Sequence, residues 1–221
     1  MDIFDLKGSV AALVVGLAVS FLGSIRWLIL LLIFAVFSHL ATKAFFDLKQ
    51  KNKLQEGEKG ERRTSNVFYA GITGLVIALL NVTTIIARYP YFHYFELFAI
   101  SLSVISADTF ASEIGVIDKK VYMITNLKRT TPGINGGVSA VGQLAALLGA
   151  SIVGVSYGLL SVGGFNILRV ILVILLGFIG CQIDSYLGAL FENRGKLSKG
   201  EVNFIASFSG VILGVIFLYL I

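Results

Sequence analysis

The sequence predicts an all-α integral membrane protein with about seven transmembrane helices. Three observations carry that prediction. Hydrophobic residues make up 56% of the 221 and charged residues only 14%, where a soluble domain carries about 25% charged residues; the mean hydropathy is +0.87. Seven apolar runs approach the roughly 20 residues that cross a bilayer as a helix. The basic residues then gather in alternate loops, as they do on the cytoplasmic side of membrane proteins.

The runs lie at roughly 8–25, 27–46, 67–87, 91–107, 137–158, 165–186 and 203–221. The first is short and bears glycines. Between the second and third, residues 47–66 are polar with no apolar period, so this loop is expected to be mobile without a ligand. It reads equally as a solvated topology loop and as a flap over an anion. Tyr89-Pro90-Tyr91-Phe92-His93-Tyr94-Phe95 reads as an interfacial aromatic belt. Loops 43–66, 108–136 and 187–202 hold seven, four and three Lys or Arg, together 14 of the 18 in the chain. With seven helices all three fall on one side. That side is therefore expected to be cytoplasmic, with the N-terminus, in a single polytopic domain spanning 1–221.

Other classes are disfavoured. The net charge of +5 reflects this loop asymmetry and predicts no nucleic-acid partner. Met1–Asp5 lacks a basic n-region, so no cleavable signal peptide is expected. Cys181 is the only cysteine, which excludes a disulfide framework within the chain. His39 and His93 stand apart in sequence, which argues against a histidine metal site.

A weak internal repeat organises the polar residues. Three times an inward-running helix ends in Asp, a polar loop follows, and the next helix starts with Asn. The pairs are Asp47 with Asn66, Asp108 with Asn135 and Asp184 with Asn203, spaced by 19, 27 and 19 residues. The blander reading is that Asp and Asn mark helix ends, where both are common.

Two of the pairs carry chemistry. Asp184 sits among Gly180-Cys181-Gln182-Ile183 and Ser185-Tyr186-Leu187, and an acid next to hydrocarbon costs about 2.5–3.5 kcal/mol on insertion scales. On a helix Asp108 and Ser112 share one face, and Thr109 and Glu113 the neighbouring one. Such hard oxygen ligands suit Mg²⁺, which prefers one or two carboxylates plus substrate phosphates. Thr131-Pro132-Gly133-Ile134-Asn135-Gly136-Gly137 reads as a turn leading into a helix start, with Asn135 as its cap. Helix amides there suit phosphate, and Lys128 and Arg129 lie just upstream. No Gly-Lys-Ser/Thr follows, so this is no Walker A loop. Glu192-Asn193-Arg194 offers a further phosphate contact, or simply a positive-inside charge.

Three stretches carry a family resemblance: Ala107-Asp108-Thr109-Phe110-Ala111-Ser112-Glu113-Ile114-Gly115, Thr131-Pro132-Gly133-Ile134-Asn135-Gly136-Gly137-Val138-Ser139, and Ile183-Asp184-Ser185-Tyr186-Leu187-Gly188-Ala189. They resemble the integral-membrane family of plant phytyl-phosphate kinase and animal transmembrane protein 19, over almost the whole chain. The resemblance implies a transferase of lipid metabolism. It would move the terminal phosphoryl group of a nucleotide, CTP foremost, to an isoprenoid monophosphate such as geranylgeranyl or phytyl phosphate.

Asp108, Asp184 and Glu113 are then the expected catalytic carboxylates and Mg²⁺ ligands, with Glu113 a third ligand or an orienter. Thr109, Ser112 and Ser185 would hydrogen-bond phosphate or metal water. Asn135, Gly136 and Gly137 would cradle phosphate, with Lys128, Arg129 and Arg194 neutralising it. The site would face the cytoplasm from a cell membrane, with the prenyl tail between helices or in the lipid. A CDP-lipid synthase and a polyisoprenol kinase are the alternatives. A transporter fits less well, because the acids sit at one helix end rather than at mid-bilayer.

Overall fold

A computed structural model describes residues 6–55, 64–88 and 93–220, with side chains for 10–55, 71–88 and 93–218. The chain is an all-α integral membrane protein. Seven apolar helices are described: α1 (Leu6–Leu22), α2 (Ile25–Lys43), α4 (Thr64–Ile86), α5 (Tyr94–Gly115), α6 (Ala140–Leu160), α7 (Ile167–Leu190) and α8 (Lys199–Leu220). A short helix, α3 (Phe46–Lys51), follows α2. Five are long and apolar enough to cross a membrane, and Val10–Leu22 and Gly71–Ile86 are shorter apolar stretches. Residues 56–63, with Arg62 and Arg63, and Tyr89–Phe92 of the aromatic cluster lie outside the described residues.

Helix α5 is the axis of the bundle. Its apolar window is 78% buried, against 33–44% for the other four long spans, and it touches α2, α4, α6, α7 and α8. Small residues allow that crowding, as in membrane bundles generally. A Cβ on Gly149 of α6 would come 2.6 Å from Ser106 O, and one on Gly177 of α7 would overlap the Ser103 side chain. The α5 serines are satisfied at these crossings: Ser106 Oγ donates to Gly149 O at 2.9 Å. Leu13, Leu17, Phe21, Leu144, Leu159 and Ile216 are among the large apolar side chains left exposed on the outer faces, which suits lipid rather than water.

Two expected boundaries shift. Helix α5 does not stop near 107. Phe110 and Ile114 continue its apolar spacing, and no helix breaker intervenes before Gly115. Asp108, Thr109, Ser112 and Glu113 therefore stand on its last two turns. The rest of the 108–136 segment is not plain loop. It forms a three-stranded antiparallel sheet in the order β2-β1-β3, from β1 (Val121–Met123), β2 (Arg129–Thr130) and β3 (Gly137–Val138). Val121 faces Thr130, and Met123 faces Gly137.

The first part of the polar 47–66 segment is also ordered. The chain turns at Phe45 in the left-handed region (φ 57°) and enters α3. That turn carries Lys49 into the protein, where it is 1% exposed.

Candidate active site

One end of the bundle holds a cavity of about 320 Å³. The helices reach it with faces of helical period. Asp108, Ala111, Ser112 and Gly115 come from α5, and Cys181, Asp184, Ser185 and Gly188 from α7; both sets follow the i, i+3, i+4, i+7 rule. The turn 132–138 closes a third side, Ser139 and Gln143 of α6 a fourth, and Lys199 stands at the start of α8. Leu54 and Gln55, just past α3, complete the rim.

The structure brings Asp108 and Asp184 together. Their carboxyl groups lie within hydrogen-bonding reach of each other, although 76 residues separate them. Two carboxylates at that distance repel unless a proton or a cation lies between them. Asn203, turned so that its amide nitrogen faces the acceptors, donates to Asp184 Oδ2 at 3.0 Å and to Lys199 O at 3.3 Å. The third Asp–Asn pair of the repeat is thus a direct contact. Of the first pair, Asp47 is exposed on α3 rather than ending α2, and the Asn66 side chain lies outside the described residues.

Glu113 has a different setting from the one expected. Its Oε2 receives Lys49 Nζ at 2.6 Å and its Oε1 receives Thr42 Oγ1 at 3.1 Å. Lys49 Nζ also donates to Thr42 O at 2.6 Å. Glu113 touches the cavity, but a buried lysine already balances its charge. Among the described residues, no three His, Cys, Asp or Glu side chains are grouped as a metal cage. The expected set of Asp108, Asp184 and Glu113 is not assembled around one point.

The glycine turn also departs from expectation. Asn135 does not cap α6. Ser139 does, its Oγ accepting from Gly142 N at 3.1 Å, so the free helix amides belong to Ala140 onward. Asn135 instead ties the turn to the 3-10 turn Glu192–Arg194 that follows α7: its side chain bonds Glu192, and its carbonyl accepts from Asn193 Nδ2 at 2.9 Å. Gly136 has φ +79°, and a Cβ there would overlap Ala189 Cβ and come 2.8 Å from Ser185 O. Gly136 thus serves close approach to α7, which holds the turn over Ser185. Gly195 offers a comparison, with φ +65° and nothing within 4 Å of a built Cβ. Gly195→Ala should cost about 1 kcal/mol of left-handed strain. Gly136→Ala should cost a further ~1–3 kcal/mol for overpacking. Thermal unfolding in detergent should show the larger fall for Gly136→Ala, and equal falls would remove the packing role.

The remaining expected residues divide. Ser112 and Ser185 line the cavity. Thr109 is buried beside it. Lys128 and Arg129 are exposed on the hairpin, and Arg194 is exposed on the 3-10 turn Glu192–Arg194; none of the three lines the cavity. Lys199 is the basic side chain in the lining, against the acids Asp108, Glu113, Asp184 and Glu192.

The fold defines an integral membrane protein with an acidic, polar cavity at one end of its helix bundle. The chain belongs to the integral membrane protein DUF92 family, whose model matches residues 1–213. This agrees with the family resemblance read from its motifs. It is 30% identical to the uncharacterized membrane protein MJ0933 of Methanocaldococcus jannaschii, over 96% of this chain and 84% of that one. It is 29% identical to Protein PGR of Arabidopsis thaliana, over 88% and 74%. A third relative is Protein VTE6, chloroplastic, of the same plant, 31% identical over 68% of this chain and 46% of its own length. No solved structure matches.

Proposed function

We propose that this protein is a membrane kinase that moves the terminal phosphoryl group of a nucleotide, CTP foremost, to an isoprenoid monophosphate such as geranylgeranyl or phytyl phosphate. The carrying observation is the meeting of Asp108 and Asp184 in a polar cavity at the end of apolar helices. An acidic cavity of this kind does not admit bare phosphates. It admits them with a divalent cation, and the oxygens of Asp108, Asp184, Ser112 and Ser185 are hard donors, which fits Mg²⁺. Family membership and the resemblance to phytyl-phosphate kinase favour the same chemistry.

Asp108 and Asp184 would hold the ion, with substrate phosphates completing its shell; when bound, it would neutralise charge on the transferring group. The acceptor phosphate oxygen attacks the γ-phosphorus, the bond from that phosphorus to the β–γ bridging oxygen breaks, and CDP leaves. A monophosphate is already an anionic nucleophile, so no general base is needed. Lys199 would take a phosphate oxygen, and Ser112 and Ser185 would donate hydrogen bonds. Glu113 acts at one remove, by fixing Lys49 and α3 under the rim. The prenyl tail would lie in the lipid or between helices, and the cavity would face the cytoplasm of a cell membrane.

The test is product analysis with purified protein, Mg²⁺, CTP and geranylgeranyl phosphate. CDP and geranylgeranyl diphosphate are expected. Pyrophosphate with a CDP-lipid would replace this reading by a cytidylyltransferase. Turnover only with an isoprenoid alcohol would replace it by a polyisoprenol kinase.

A further inference from the structure

The opposite end of the bundle holds a second cavity, of about 480 Å³, that the proposed reaction does not use. Trp27, Phe95 and Tyr157 form one wall, with ring centroids 6.0 Å apart for Trp27–Phe95 and 5.4 Å for Phe95–Tyr157. Glu96 lies against this wall in the first turn of α5 and is 1% exposed. Among the described residues, neither of its buried carboxylate oxygens has a hydrogen-bond partner. The Tyr157 hydroxyl adjoins the carboxyl. Arg169 Nη1 pairs with Glu96 Oε2 across 3.5 Å and meets His93 Nδ1 at 3.0 Å, and that ring nitrogen lies 3.8 Å from the same carboxylate oxygen. Burial and the neighbouring guanidinium lower the His93 pKa. The imidazole is therefore neutral near pH 7, and Nδ1 can accept from Arg169.

A buried carboxylate that lacks donors costs more than an ordinary unsatisfied polar atom. Arg169 balances part of the charge from one side without hydrogen-bonding it; what is missing is an N–H or O–H donor, best a cationic one, from the cavity side. The aromatic wall favours the same charge. Arg26 and Arg169 line the same cavity and call for an anion. Ile85 and Val162 also line it and are 66% and 80% exposed, so the mouth continues onto the apolar outer surface at the level of the helix ends, where lipid headgroups lie.

We propose that this cavity binds the headgroup of a phospholipid bearing a primary ammonium, with the ammonium on Glu96 and the phosphate on Arg169 and Arg26. The probes are phosphatidylethanolamine, phosphatidylcholine and phosphatidylglycerol, offered in equal amounts to the purified protein, with retained lipid read by native mass spectrometry. Phosphatidylethanolamine should be retained about tenfold over the other two, the worth of one charge-assisted hydrogen bond. Phosphatidylcholine has no N–H to donate, and phosphatidylglycerol has no ammonium. Glu96→Gln should erase the preference, and Arg169→Gln should weaken retention of phosphatidylethanolamine and phosphatidylcholine alike. Equal retention of the three lipids, or an unchanged preference in Glu96→Gln, would overturn the proposal. Displacement of the lipid by an equal concentration of soluble phosphoethanolamine would overturn a lipid as the source. Should Glu96→Gln not fold, the wild type alone decides. Its melting temperature must be higher in phosphatidylethanolamine than in phosphatidylcholine, and no difference rejects the site.

Discussion

Asp108→Asn and Asp184→Asn are each expected to lower turnover by at least 10²–10³-fold, roughly the worth of one preorganised electrostatic group at a reacting phosphate. Neither should unfold the protein. The two carboxyls meet in a cavity at the bundle end, and removing one charge relieves their repulsion. Melting temperature in detergent without Mg²⁺ should therefore hold or rise as activity falls, the pattern of a site that gives up stability for function. The Mg²⁺ dependence supplies a second reading. Residual activity in either variant should need more Mg²⁺ than the wild type. Full turnover in both variants, with unchanged Mg²⁺ dependence, would sink the site. Loss of activity together with loss of folding in both would show that the pair is structural.

The parts of this arrangement that were legible in sequence are those where an acid contradicts its surroundings. Asp184 among Ile183, Tyr186 and Leu187 and Asp108 beside Phe110 announce themselves, because hydrocarbon does not tolerate an acid without a reason. The apolar runs likewise fix the seven helices, since backbone groups in lipid must be satisfied within the element. What was not legible follows from partners distant in the chain. Lys49 sits in Asp47-Leu48-Lys49-Gln50-Lys51, where three charges in five residues read as solvated. Only the left-handed turn at Phe45 and the position of Glu113, 64 residues on, select it for burial. Ser139 loses the cap assignment to Asn135 in sequence, because both precede apolar runs. The short sheet that carries Gly137 away from helical geometry gives no periodic signal in strands of two and three residues. Charge alone points to Lys128 and Arg129, and the hairpin turns them outward. Lys199 lacked any local sign, since the loop before it holds other basic residues.

The Lys49–Glu113 pair gives the second large prediction, this time on stability. Lys49 and Glu113 side chains are 1% and 6% exposed and meet at 2.6 Å. Breaking a buried pair by removing one member leaves the other charge uncompensated, at a cost of about 3–5 kcal/mol. Lys49→Met should therefore destabilise strongly. It also removes the donor to Thr42 O and so frees α3 from the end of α2. The double variant Lys49→Met with Glu113→Gln keeps an acceptor for Thr42 Oγ1 and leaves no buried charge. Replacing both members of such a pair is often close to neutral, so the double variant should recover most of the loss in chemical or thermal unfolding. Thr42→Val should cost about 1.5–3 kcal/mol, one buried hydrogen bond to a charged carboxylate. The same set separates positioning from chemistry. If the pair only holds α3 and the rim residues Leu54 and Gln55, the double variant should recover much of its activity along with its stability, with KM raised more than kcat is lowered. A double variant that is stable yet inactive would instead make Lys49 or Glu113 a direct participant in phosphoryl transfer, and would return Glu113 to the metal set from which its lysine partner now separates it.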